Sequence, residues 1–139
     1  MSSLDSALLQ AYRETRYEVS ADPPVILWIG AASAPLRALH GCFGVECSAF
    51  VSACNPFSRR LDAASNAARH RALLQALAAE GWRFLEGAGR HPSNGWPAEP
   101  SALVFDLPLE ASREFGRRYE QNAFVWCGLD AVPQLVLLR

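Results

Sequence analysis

Between Ser48 and Leu77 the chain passes from a short apolar run, through Asn55-Pro56-Phe57-Ser58, into a long Ala- and Leu-rich segment. Pro56 keeps Asn55 out of helical geometry, so one element must end before the next begins. The segment after the turn has helical periodicity, and Gly81 supplies a C-terminal stop. Ser58 or Asp62 can cap its start. A buried strand, a sharp polar turn and a helix running to about Glu80 are therefore predicted. The rest of the chain must supply the elements that pack around this unit.

Those elements can be read in order. Leu4, Ala7, Leu8, Ala11 and Tyr12 recur at helical steps, predicting a helix over Ser3–Arg13 with Ser3 as N-cap. Arg16–Val19 alternates as a strand does, and Asp22-Pro23-Pro24 breaks it. Val25–Ile29 is a continuous apolar run, typical of a strand buried on both faces. Ser33-Ala34-Pro35 opens a short helix, with Ser33 as cap and Pro35 in the first turn, and Gly41 and Gly44 limit it. Cys47–Cys54 is the strand of the central unit. Trp82–Ala88 reads as a strand, Gly87–Ser101 as a long Gly/Pro-rich loop, and Ser101–Leu107 as another strand. Pro108 starts a helix through about Tyr119. Asn122–Trp126 and Gln134–Leu138 form a closing hairpin.

The predicted order is α-β-β-α-β-α-β-β-α-β-β. It implies an α+β fold, or α/β with a mixed sheet: one central mixed sheet flanked by helices. Its strands and helices do not alternate strictly enough for a doubly wound fold. At 139 residues the chain fits a single globular domain, large enough to fold without disulfide or metal staples.

Charge and cysteine content narrow the function classes. The net charge is −1 and the pI about 6.3, which disfavours nucleic-acid binding through a general basic field. All thirteen basic residues are Arg, a bias that GC-rich coding explains as well as selection for bidentate anion contacts does. Cys42, Cys47, Cys54 and Cys127 fit neither zinc-knuckle spacing nor a secreted disulfide framework. The N-terminal residues carry charges and no long apolar run, and nothing is long enough to span a membrane. A reduced, cytoplasmic setting is the expectation.

The candidate site follows from the central unit. With Asn66 set at 0°, Leu73, Leu74 and Leu77 fall at roughly −20°, 80° and 20° around the helix. His70 falls at roughly 40° and Arg69 at roughly −60°. Asn66 and His70 thus extend the buried stripe toward the turn, and Arg69 borders it. Inward polar groups need partners, and Asn55 sits at the same end. A crevice there would suit an anion at the helix N-terminus. The loop Gly87–Ser101 adds Arg90, His91, Asn94, Trp96 and Glu99. Trp96 reads as a lid over a planar ligand or as an aromatic plug. Glu99 is a weak candidate catalytic acid or base, or a solvated carboxylate. Gln121 and Asn122 either reach the cleft or cap element ends. Cys54 lies in an apolar strand and reads as an inert thiol. No nucleophile elbow, phosphate loop or zinc-protease motif occurs. Three histidines are too few for a histidine-rich metal centre and a mixed carboxylate site is not expected, so no metal is expected; the sequence leaves the cofactor unknown.

These residues carry a resemblance. The segment Ser52-Ala53-Cys54-Asn55-Pro56-Phe57-Ser58, Asn66 and Arg69, Trp96 with Glu99-Pro100-Ser101, and Phe115 with Gln121-Asn122-Ala123 resemble the bacterial family catalogued as domain of unknown function 3293. Tyr12, Tyr17, Val125-Trp126 and Pro133-Gln134-Leu135-Val136 fit as well. Cys54 departs from the aromatic residue more usual there. The resemblance implies a small cytoplasmic bacterial protein of one domain. It implies no activity.

Two function classes fit. In one, a small polar or anionic, nucleotide-like ligand binds at the Asn55–Ser58 turn: Arg69 pairs with the anion, Asn55 and Asn66 orient it, Trp96 closes over it, and Gln121 completes the wall. That reading requires Arg69 and Glu99 to share one pocket. In the other, the chain is a non-catalytic interaction or regulatory module, and an edge at Gln134–Leu138 pairs with a partner or in a homodimer.

Overall fold

The computed structural model describes residues 4–139. The elements are α1 (Ser6–Glu14), β1 (Arg16–Val19), β2 (Val25–Leu27), α2 (Ala34–Phe43), β3 (Ser48–Val51), a single 3₁₀ turn (Pro56–Ser58), α3 (Ala63–Ala79), β4 (Phe84–Arg90), β5 (Glu99–Phe105), α4 (Leu109–Arg118), β6 (Ala123–Cys127) and β7 (Pro133–Leu137). Helices and strands follow one another in the predicted order.

Local chemistry sets the helix boundaries. Asp62 caps α3 by accepting the Ser65 amide, and Gly81 follows its end at φ 81°, where glycine carries no Cβ penalty. Ser33 caps α2 through the Leu36 amide, with Pro35 in the first turn. α1 is capped by Asp5, whose carboxylate accepts the Leu8 amide. The expected cap, Ser3, lies outside the described residues.

The seven strands form one sheet in the order β2-β1-β4-β5-β3-β6-β7. Every pairing is antiparallel, which corrects the expected mixed sheet. The reason lies in the crossovers. α3 carries the chain from β3 to a parallel strand, β4, but two places away, and β5 fills the gap antiparallel to both. α4 likewise links β5 to β6 across β3. The segment from β3 to β6 is thus a β-α-β-β-α-β unit of the split, ferredoxin-like kind. β1 and β2 extend one edge and β7 the other.

Side chains alternate across this sheet and separate two cores. On one face, Ala49, Val51, Ala102, Val104 and Phe124 meet Leu73 and Leu77 of α3 and Phe115 of α4. Leu73 and Leu77 are fully buried, each contributing about 1.5–3 kcal/mol of transfer free energy. On the other face, Tyr17, Val19, Phe50, Leu103, Phe105 and Val125 meet Leu36, Leu39 and Phe43 of α2. α1 lies over the remainder of that face.

Two expectations change in detail. Val25–Ile29 is not buried on both faces: β2 is an edge strand, and Ile26 is 44% exposed. The loop after β4 is shorter than its glycines and prolines imply, because Gly87, Gly89 and Arg90 complete β4 while Glu99 and Pro100 begin β5. Gly87 belongs in the strand for a steric reason. A Cβ there would strike the Glu18 carbonyl and crowd the Phe50 ring, whereas one at Gly89 would meet only Thr15 Cγ2, at 3.5 Å.

Candidate functional site

Asn55, Phe57 and Ser58 all have left-handed backbone, at φ 48°, 51° and 60°. Asn tolerates that region, whereas Phe and Ser adopt it at a cost of order 1–3 kcal/mol each. The turn persists because its surroundings hold it at many points. The Phe57 amide donates to the Glu120 carbonyl at 2.6 Å. Asn122 Nδ2 donates to Ser58 Oγ at 2.8 Å, and the Tyr12 hydroxyl meets the same oxygen at 3.1 Å. Asn55 is fixed most firmly. Its amide N–H donates to Asn66 Oδ1 at 2.9 Å. Its Oδ1 accepts from the Leu61 amide and from Asn66 Nδ2, each at 2.9 Å. Its Nδ2 is thereby aimed at Glu99 Oε1, 3.1 Å away.

Asn55 and Glu99 lie on the wall of a cavity of about 190 Å³. β1, β3, β5 and β6 form its floor with Tyr17, Phe50, Ser52, Ser101, Ala123 and Val125, and α1 roofs it with Leu8, Ala11, Tyr12 and Thr15. Gly89, Ser58, Gln121 and Leu135 also line it, and His91, Asn94, Trp96 and Pro97 come from the β4–β5 loop. That loop is tied to the roof. His91 Nδ1 accepts the Ser93 and Asn94 amides, and its Nε2 meets Glu14 Oε1 at 3.0 Å. Asn94 Oδ1 in turn accepts the Trp96 amide. Trp96 is 37% exposed, with the Arg60 guanidinium 5.8 Å from its ring centre.

The electrostatics centre on Glu99. Burial raises its pKa from 4.5 to about 7, and bonds from Asn55 and Ser52 only partly oppose the shift. A carboxyl shifted this far toward its neutral form can both donate and accept a proton near neutral pH. Burial also raises the Tyr12 phenol. Neither Lys nor Arg lines the cavity.

The structure gathers some of the expected site residues and separates others. Asn55, Trp96, Glu99 and Gln121 line the cavity. Asn66 stands behind it, positioning Asn55. Arg69 also projects from α3, on the opposite face of the sheet, and its guanidinium donates to the Ala53 and Tyr119 carbonyls and pairs with Glu120 at 3.5 Å. The expectation that Arg69 meets an anion beside Glu99 is therefore corrected, because the orphan carbonyls at the end of β3 and of α4 take its charge. His70 turns to Glu86 at 3.1 Å, away from the cavity. The Cys54 thiol is buried against the Asn66 and Pro100 carbonyls, and burial raises its pKa to about 11. Glu99 is not a solvated loop carboxylate: pairing of β5 with β4 puts it on the cavity side of the sheet. Tyr12, Ser52 and Ser58 also line the cavity, although the sequence assigned none of them a role in ligand contact. The signals for Tyr12 were its place on the apolar face of α1 and its fit to the family resemblance.

The chain matches the family model described as protein of unknown function (DUF3293) over residues 51–124. It belongs to this family. The match takes in the turn, Asn66, Arg69, the β4–β5 loop, Glu99 and Gln121, while Tyr12, Tyr17 and the closing Pro133–Val136 lie outside it. No curated protein and no solved structure matches the chain. Among the described residues no cluster of His, Cys, Asp or Glu is placed to hold a metal ion, and no helix is long and apolar enough to cross a membrane.

Proposed function

We propose that the chain, as one domain in a reduced cytoplasmic setting, binds a small polar ligand in the cavity under α1, and that Glu99 exchanges a proton with it. One observation carries this reading: the carboxyl of a half-buried glutamate, aimed by a fully committed asparagine, faces a cavity and is shifted to a pKa near 7. A perturbed acid in a cleft is a functional-site signal with a physical cause. The size fits a ligand of about one ring with substituents, since an engineered cavity of about 150 Å³ holds benzene. Trp96 stands at the opening as a stacking surface. Asn66 and Arg69 act behind the wall, by holding the turn.

The test is a thermal-shift screen of the native chain against small metabolites of varied charge. A ligand at about a hundred times its dissociation constant should raise stability by about 2.7 kcal/mol, and Glu99→Gln should abolish the catalytic or proton-linked part of its effect. A screen in which no small molecule shifts the transition would sink the reading.

A second reading rests on β7, which forms one edge of the sheet and offers unpaired backbone groups to a partner or a second copy. Light scattering that shows a strict monomer at high concentration would remove the homodimer version.

A further inference from the structure

We infer that the cavity selects a cationic donor group, an amine or amidine carried on a flat apolar body. The inference rests on the ligand-pocket reading above and specifies its chemistry.

The polar lining around Glu99 supplies acceptors. Gln121 Nε2 is committed to the Cys54 and Tyr119 carbonyls, which leaves Oε1 as its contribution to the cavity. Asn55 spends its Oδ1 on Leu61 and Asn66 and its Nδ2 on Glu99. The Tyr12 and Ser58 hydroxyls bond one another. Glu99 accepts from Asn55 and Ser52, and an ionised carboxylate has about four acceptor sites, so it can take a further donor. No guanidinium enters the lining: Arg69 holds backbone carbonyls and Glu120, and Arg60 lies over Trp96 at the rim. A carboxylate or phosphate ligand would find no cation in the lining and Glu99 beside it, an arrangement that buried charge does not tolerate. An ammonium or amidinium would supply the counter-ion that Glu99 lacks, with bidentate geometry open to the amidinium. The floor of Phe50, Tyr17 and Val125 accommodates an apolar ring.

Several titratable groups face or approach Glu99: Tyr12 from α1, Tyr17 from β1, Cys54 from the end of β3 and His91 from the loop, with Glu14 beyond His91 and Arg69 behind Cys54. His91 is itself a titratable group of the lining, so the test must separate it from Glu99.

Benzamidine, benzamide and benzoate share one ring and nearly one shape while their charge runs from positive through neutral to negative. Binding of each to the native chain is measured by titration calorimetry at pH 6 and pH 8. Benzamidine should bind at least tenfold more tightly than benzamide at pH 8, with benzoate weakest, and its affinity should rise up to about tenfold from pH 6 to pH 8 as Glu99 ionises. Glu99→Gln should remove both the preference for benzamidine over benzamide and the pH dependence, with circular dichroism confirming the fold. Benzamide or benzoate bound best would overturn the cationic class and leave a small-molecule pocket standing. Benzamidine affinity that keeps its pH dependence in Glu99→Gln would overturn the assignment to Glu99. None of the three bound would overturn the class, and the wider metabolite screen would decide the pocket's role separately.

Discussion

The two faces of the sheet share the same strands and are finished in opposite ways. Toward α3 and α4, small and branched residues such as Ala49, Ala102 and Val104 receive Leu73 and Leu77 with no exposed surface left. Toward α1, the same strands turn Phe50, Ser52, Glu99 and Ser101 to a roof in which no residue is fully buried. The contrast separates two tasks. One face supplies the close-packed apolar contact that stabilises the fold, and the other leaves room for polar groups whose solvation is incomplete. Asn66 joins them, rooted in a helix of the first face and holding the turn that borders the second.

Four substitutions test that division. Leu73→Ala, on the packed face, should destabilise most, by about 2–5 kcal/mol in chemical denaturation, and should leave ligand affinity unchanged in the folded fraction. Next comes Glu99. The folded chain holds its proton more tightly than the unfolded chain, so this group's contribution is complete below about pH 4.5 and lost as pH rises through about 7. Wild-type stability should fall over that interval by of order 2–3 kcal/mol relative to Glu99→Gln. Parallel stability–pH curves for the two chains would show that the carboxyl is solvated. Asn66→Ala should cost about 1–3 kcal/mol, since it leaves the Asn55 amide and the Leu61 carbonyl short of a partner. It should also weaken binding without touching the ligand, and unchanged affinity would uncouple the faces. Trp96→Ala should change stability least, within about 0.5 kcal/mol as at other surface positions, yet reduce affinity and remove a fluorescence response to ligand.

Much of the packed face was legible in the sequence. The leucine stripe of α3, the caps at Ser33 and Asp62, and the order of elements all follow from local signals that packing reinforces. Strand direction did not follow, because a helix between two strands says that they run the same way but not whether a third lies between them. The candidate site was legible in part. Asn55, Glu99, Trp96 and Gln121 were placed near one end of the sheet, but helical angles could not say which polar residues of α3 pass through to the cavity. Arg69 was misjudged on that account: a long side chain bordering the stripe reached two backbone carbonyls first. The roof was hidden for a different reason. An apolar periodicity like that of Leu8, Ala11 and Tyr12 states that a helix face is covered, and is silent on whether it is covered by atoms or by space.

Gly89 gives that space an adjustable dimension. It lies in β4 on the cavity lining, without the positive φ that only glycine accepts freely, and a methyl there would meet Thr15 at ordinary contact distance. Its neighbour Gly87 has no such latitude, since the Glu18 carbonyl and the Phe50 ring occupy the place a side chain would take. The two glycines thus separate register from gauge: one fixes how the strands fit, and the other sets how large an occupant fits beneath α1. A chain suited to a smaller ligand would need no new fold, only one more carbon on this floor.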